Sequence, residues 1–149
     1  MLRLDHFLPY RLSVASNAVS EVIAGAYEEI GLSIPEWRLI AVLSEQGRAT
    51  QQTLCGLTRM DKVTVSRAAA GLTERGLLLR APNAEDRRSH FLSLSAAGRA
   101  VYKEVAPRAI AMEKTLLAGF KASDIALLEK MLRRLEEAAG VHAEDGAER

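Results

Sequence analysis

A single cysteine stands among the 149 residues, so no internal disulfide can form and no multi-thiolate zinc site can be assembled. The three histidines, His6, His90 and His142, are scattered with no carboxylate or thiolate at ligand spacing, and no metal is expected. No apolar run approaches the roughly 20 residues of a bilayer span, and the N-terminus lacks a signal-peptide layout. A cytoplasmic protein without a membrane partner is the expectation. Glycine-rich phosphate loops and a strand-turn-helix nucleophile are also missing, which leaves no cofactor and no enzyme to expect. A net charge of only +1 excludes a histone-like polycation. There is no internal repeat and no low-complexity segment. The length suits one domain, 1–149, in which only 143–149 reads as a flexible tail.

What is present centres on Asp61-Lys62-Val63-Thr64-Val65-Ser66-Arg67. Asp61 suits an N-cap, since its carboxylate can accept the free amide hydrogens of the following turn. A helix should then continue to about Arg75 and stop at Gly76. At 3.6 residues per turn Val65, Ala68, Ala69 and Leu72 share one stripe. Val63, Ser66, Arg67 and Ala70 take the opposite pole, with Lys62 and Thr64 on the flanks. A cation, hydroxyls and a methyl-bearing side chain suit a groove that offers acceptors and thymine methyls. They suit plain solvent exposure equally well.

The flanking segments favour the groove. Thr50-Gln51-Gln52-Thr53-Leu54-Cys55-Gly56-Leu57 predicts a short helix capped by Thr50, and Thr58-Arg59-Met60 leaves room only for a tight turn. Leu54, Leu57, Met60 and Val65 are spaced to pack the two helices across each other, with small Cys55 at the crossing. That is a helix-turn-helix pattern. Downstream, Leu77–Arg80 and Phe91–Leu94 predict two short strands around a polar loop that carries Asp86-Arg87-Arg88. Charge follows the same division. Residues 59–90 hold seven Lys/Arg against four Asp/Glu, whereas residues 121–149 hold five against seven.

Asp61–Arg67, then Leu72-Thr73-Glu74-Arg75-Gly76-Leu77, then Glu85-Asp86-Arg87-Arg88 before Leu92-Ser93-Leu94-Ser95-Ala96-Ala97-Gly98, resemble the MarR (multiple antibiotic resistance regulator) family of bacterial transcription regulators. The family's wing carries Asp-x-Arg ahead of Leu-Thr. Ser95 stands here where Thr is usual, and it can cap the next helix in the same way. The resemblance implies a mainly α fold with a small β-hairpin wing, in which a winged helix-turn-helix (33–95) is flanked by dimerisation helices (1–32 and 96–140). It implies a ligand-responsive repressor that binds double-stranded DNA at a pseudo-palindromic operator as a homodimer. Thr50, Gln51, Gln52, Lys62, Val63, Thr64, Ser66 and Arg67 would contact the operator. Arg87 or Arg88 would enter the minor groove, oriented by Asp86, whose side chain on an extended hairpin shares a face with that of Arg88.

The remaining segments predict helices over about Asp5–Ile30, Pro35–Gln46, Ala96–Phe120 with a kink at Pro107, and a last one capped by Ser123. Ser33-Ile34-Pro35-Glu36 has the form of a capping box. The first helix, the last helix and the one before it carry more apolar surface than one small winged helix can cover, which invites a second copy of the chain. Relatives in this family bind small aromatic or phenolic acids. Tyr10, Arg11, Trp37 and Arg38 stand near where such an effector would lie, although Trp37 also suits the core and Arg38 suits solvent. Cys55 suits a buried inert thiol better than an oxidant sensor. A winged-helix module for protein assembly or ligand binding, without DNA, is the other reading. It would call for large apolar anchors where this chain places Arg67, Arg87 and Arg88.

Overall fold

A computed structural model describes residues 1–141; the tail expected at 143–149 and His142 lie outside the described residues. The helices are α1 (Leu8–Ala24), α2 (Ile34–Gln46), α3 (Gln51–Thr58), α4 (Lys62–Glu74), α5 (Ala96–Leu116) and α6 (Ala122–Ala138). Three strands, β1 (Arg48–Thr50), β2 (Leu78–Pro82) and β3 (His90–Leu94), form one antiparallel sheet in the order β1-β3-β2. The chain divides into two compact units, Met1–Met112 and the segment from Glu113 onward.

The first helix is shorter than its apolar pattern predicts. A 3-10 turn at Leu4–His6 precedes it, and Pro9 in its first turn lacks the amide that an extension toward Asp5 would need. At its other end the backbone tightens. Ala26 and Tyr27 donate to the carbonyls three residues back, Ile23 and Ala24, and a second 3-10 turn follows at Glu28–Ile30. Tyr27 is 2% exposed, so the burial of its ring wins over continued helix. Gly31 closes the turn at φ 71°, a left-handed conformation that glycine adopts without cost.

Short-range capping runs as the residue spacing dictates. Ser33 Oγ accepts from Glu36 N (3.3 Å) while Glu36 Oε2 accepts from Ser33 N (2.8 Å), the reciprocal pair of a capping box. Ser95 Oγ accepts from Gly98 N (3.0 Å) and also donates to the carbonyl of Gly76 (2.6 Å), tying the start of α5 to the end of the α4 turn. A side chain at Gly98 would collide with the Leu77 carbonyl oxygen, so that close approach requires glycine. The last helix differs from expectation. It starts one residue before Ser123, and the Asp124 carboxylate reaches back to Lys121 N (3.1 Å). α5 runs through Pro107 and ends at Leu116 rather than Phe120.

Strand β1 was not expected from the sequence. Arg48, Ala49 and Thr50 pair with Ser93, Leu92 and Phe91. Three residues carry no detectable alternation, and their hydrogen-bond partners lie some forty positions downstream. The core lies where α2, α3, α4 and the sheet meet. Leu39, Ile40 and Leu43 come from α2, Leu54 from α3, Val65 and Leu72 from α4, and Leu92 from β3, each at most 1% exposed. Among the described residues no helix is long and apolar enough to cross a membrane.

Candidate nucleic-acid interface

The helix-turn-helix is built by local bonds. Thr50 Oγ1 accepts from Thr53 N (3.2 Å) at the start of α3. At the other end Thr58 Oγ1 donates to the Leu54 carbonyl (2.6 Å) and accepts from Met60 N (3.3 Å). Arg59 takes a left-handed conformation (φ 56°) and donates its amide to the Cys55 carbonyl (2.9 Å), which turns the chain sharply. Asp61 then opens α4. Its Oδ1 accepts from Thr64 N and its Oδ2 from Thr64 Oγ1, both at 2.8 Å. Those bonds, the backbone one foremost, hold the Asp61 carboxyl below the usual carboxylate range.

The two poles of α4 separate cleanly. Val65, Ala68, Ala69 and Leu72 are at most 5% exposed, whereas Lys62, Val63, Ser66, Arg67 and Ala70 face solvent. Among the described residues neither Lys62 nor Arg67 has a side-chain partner, so each is free to engage an acceptor. Thr64 is different, being half-buried with its hydroxyl committed to Asp61. On α3, Gln52 is exposed, while Gln51 and the capping Thr50 are half-buried. Leu57, expected at the helix crossing, points outward at 40% exposure, and Leu54 alone fills that place on α3. Cys55 is a half-buried free thiol packed against the core.

The tip between β2 and β3 is a folded turn rather than an extended hairpin. Asn83 Oδ1 accepts from Glu85 N (3.1 Å), and Asn83 Nδ2 donates to Ser89 Oγ (2.9 Å). Asp86 Oδ1 accepts from the backbone amide of Arg88 (3.0 Å), and the Asp86 carbonyl accepts from Ser89 N (3.1 Å). The expected pairing of the Asp86 and Arg88 side chains is therefore replaced. Their two-residue spacing fits an Asx turn, which uses the backbone amide and leaves the guanidinium out. Arg87 and Arg88 are both exposed, with no ion-pair partner among the described residues. On the strands beside that tip Arg80 Nη2 lies 3.3 Å from His90 Nδ1, and Arg48 sits over the Phe91 ring, 4.4 Å from its centroid.

The four candidate effector residues fall into two pairs. Tyr10 and Arg11 are exposed in the first turns of α1. Trp37 and Arg38 are half-buried in α2, and among the described residues no hydrogen bond or ring contact joins the two pairs. Sequence reading missed the neighbours of the second pair. Trp37 stacks between Tyr27 (5.6 Å) and Tyr102 (5.9 Å), and Arg38 Nη2 donates to Ser20 Oγ (3.1 Å). Burial pushes the Tyr27 hydroxyl above its usual value, and the charge of Arg38 partly offsets that. These partners lie ten or more positions from Trp37 and Arg38 with no periodic signal to link them. A separate open groove of about 360 Å³ is lined by Glu21, Ala24, Gly25, Glu28, Leu32, Ser33 and Ile34, none of which was expected at a site.

Comparison with known proteins adds to this geometry. The model of the MarR family matches residues 30–89. The crystal structure of a probable transcriptional regulator from Pseudomonas aeruginosa is 30% identical, with a TM-score of 0.79 over 89% of this chain and 99% of that one. A MarR/EmrR family transcriptional regulator from Acinetobacter sp. ADP1 superposes with a TM-score of 0.84 at 24% identity, over 95% and 100% of the two chains. BpsR of Bordetella bronchiseptica, whose DNA binding is regulated by 6-hydroxynicotinic acid, gives 0.81 at 20% identity, over 91% and 97%.

Proposed function

Because this chain belongs to the MarR family of transcriptional regulators, we propose that it reads a pseudo-palindromic operator as a homodimer and acts as a ligand-responsive repressor in the cytoplasm. α4 enters the major groove, with Lys62, Val63, Ser66 and Arg67 facing the base edges and Thr50, Gln51 and Gln52 along the flanking backbone. Thr64 serves that face indirectly, by holding Asp61. Arg87 or Arg88 reaches the minor groove beside each half-site, where narrow A·T stretches concentrate negative potential. Asp86 supports them by closing the turn that carries both. The observation that carries this reading is the polarity of α4. Its apolar stripe is spent on the core, and its opposite pole presents Arg67, without a side-chain partner among the described residues, beside Val63, Ser66 and Ala70. A protein-docking face would present larger apolar anchors.

The dimer reading rests on apolar side chains left uncovered in one chain: Leu8, Val19 and Val22 on α1, and Leu127, Leu128 and Met131 on α6, each more than 40% exposed. An effector of the aromatic or phenolic acid class is supported by BpsR and its 6-hydroxynicotinic acid. In this chain Arg38, beside the three-ring stack, supplies a cation able to grip a carboxylate in bidentate fashion. Tyr10 and Arg11 belong to such a site only if the second copy or the ligand brings them to it.

The wing provides the test. Replacing Arg87 and Arg88 together with Ala should weaken operator binding in a mobility shift at two salt concentrations. The log–log salt slope should fall by about 0.9 for each phosphate neutralisation lost. Normal binding with an unchanged slope would remove the wing from the interface.

A further inference from the structure

The body of the recognition helix packs through Val65 and Leu72, with small side chains between and beside them. Ala68 and Ala69 face the core, and Gly71 lies so close to the first turn of α2 that an added Cβ would sit 2.9 Å from Glu36 Oε1. Small residues permit close approach, but they offer shallow ridges and little to stop one helix from turning against another.

The C-terminal end of α4 is held in another way. Arg75, directly after the helix, donates from Nη2 to the Ile30 carbonyl (2.7 Å) and from Nη1 to the Gly31 carbonyl (3.2 Å). Those carbonyls belong to the turn that follows α1, where Gly31 adopts φ 71°. A planar, permanently charged guanidinium forked over two successive carbonyls fixes direction as well as distance. The other end of α4 is capped by Asp61 and packed into the core through Val65. Arg75 is thus a hydrogen-bonded strut from the end of the recognition helix to the turn that joins α1 and α2.

We propose that Arg75 is a positioning residue that fixes the angle of the recognition helix relative to the turn between α1 and α2, and thereby the half-site spacing that the dimer accepts. The inference rests on the DNA-binding, dimeric reading above. Its magnitude follows from the helix length of 13 residues. A swing of about ten degrees moves the tip of such a helix by roughly 3 Å, close to one base-pair step.

The experiment uses the full chain and the operator recovered by selecting bound fragments of genomic DNA. Affinities of the wild type, Arg75→Ala and Arg75→Lys are measured for that operator and for versions with one base pair inserted or removed between the half-sites. Arg75→Ala should bind the native operator roughly three- to tenfold more weakly, the loss expected for exposed charge-assisted hydrogen bonds. Its penalty for altered spacing should shrink, with the salt slope unchanged. Arg75→Lys should fall between, since an ammonium reaches a carbonyl without the fork and keeps part of the strut. A spacing penalty in Arg75→Ala equal to that of the wild type overturns the proposal. A reduced salt slope with the penalty intact overturns it too, by making Arg75 a phosphate contact. A wild-type chain that retains no DNA overturns the function itself and the strut's role with it, so the two failures are distinguishable. Circular dichroism on both variants reports folding separately.

Discussion

Helices α4 and α6 carry apolar stripes of the same periodicity and meet different fates. On α4 the four stripe residues are at most 5% exposed. On α6 no residue is buried, and Leu127, Leu128, Met131, Leu132 and Leu135 remain between 37% and 53% exposed. Half of the α4 stripe is alanine, and all of it is covered by its own chain. The α6 stripe is made of large side chains and is not covered. Periodicity thus announces that a face wants cover, while side-chain size hints at how intimate that cover is. It does not say whether the cover comes from the same chain or from another copy.

The largest expected effect tests the uncovered face. Changing Leu128 and Leu132 together to Glu should convert a dimer into a 16.2 kDa monomer by light scattering and abolish operator binding. A wild-type protein that already scatters as a monomer would break the comparison outright. On the covered face, Leu72→Ala should lower stability by about 2–5 kcal/mol in urea unfolding. The mass of the folded species should stay unchanged, because that side chain is buried within its own chain. Opposite it, Arg67→Ala should leave stability alone and cost roughly 1–3 kcal/mol of specific binding, with relaxed preference at one base pair per half-site. Equal loss on random DNA would instead make Arg67 a phosphate contact.

The smallest effect sharpens the contrast at the helix starts. α4 is capped by Asp61 bonding forward to Thr64, whereas in α6 Asp124 bonds back to Lys121. The Asp61 carboxyl is held below its ordinary value of 3.8. A lowered folded value means that the contribution is present above the unfolded value and is lost as pH falls from there through the folded one. Asp61→Asn keeps a capping oxygen but cannot titrate. It should leave neutral-pH stability nearly unchanged and make the urea midpoint less sensitive to acid below about pH 4.

The sequence by itself determined whatever is settled within one helical turn. The Ser33–Glu36 box, the caps at Thr50, Asp61 and Ser95, the stop at Gly76 and the two poles of α4 are all i to i+4 matters, so neighbouring residue types suffice. Tertiary structure decided the rest. It ended α1 at Ala24 because Tyr27 gains more by burial beside Trp37 than by continuing the helix. It made a strand of Arg48–Thr50 because Phe91–Ser93 offers an edge. It turned Leu57 outward and joined Arg75 to Ile30 and Gly31 across 45 and 44 positions. Each of those outcomes weighs a local preference against a contact that exists only after the chain has folded, and one-dimensional spacing carries no measure of that contact.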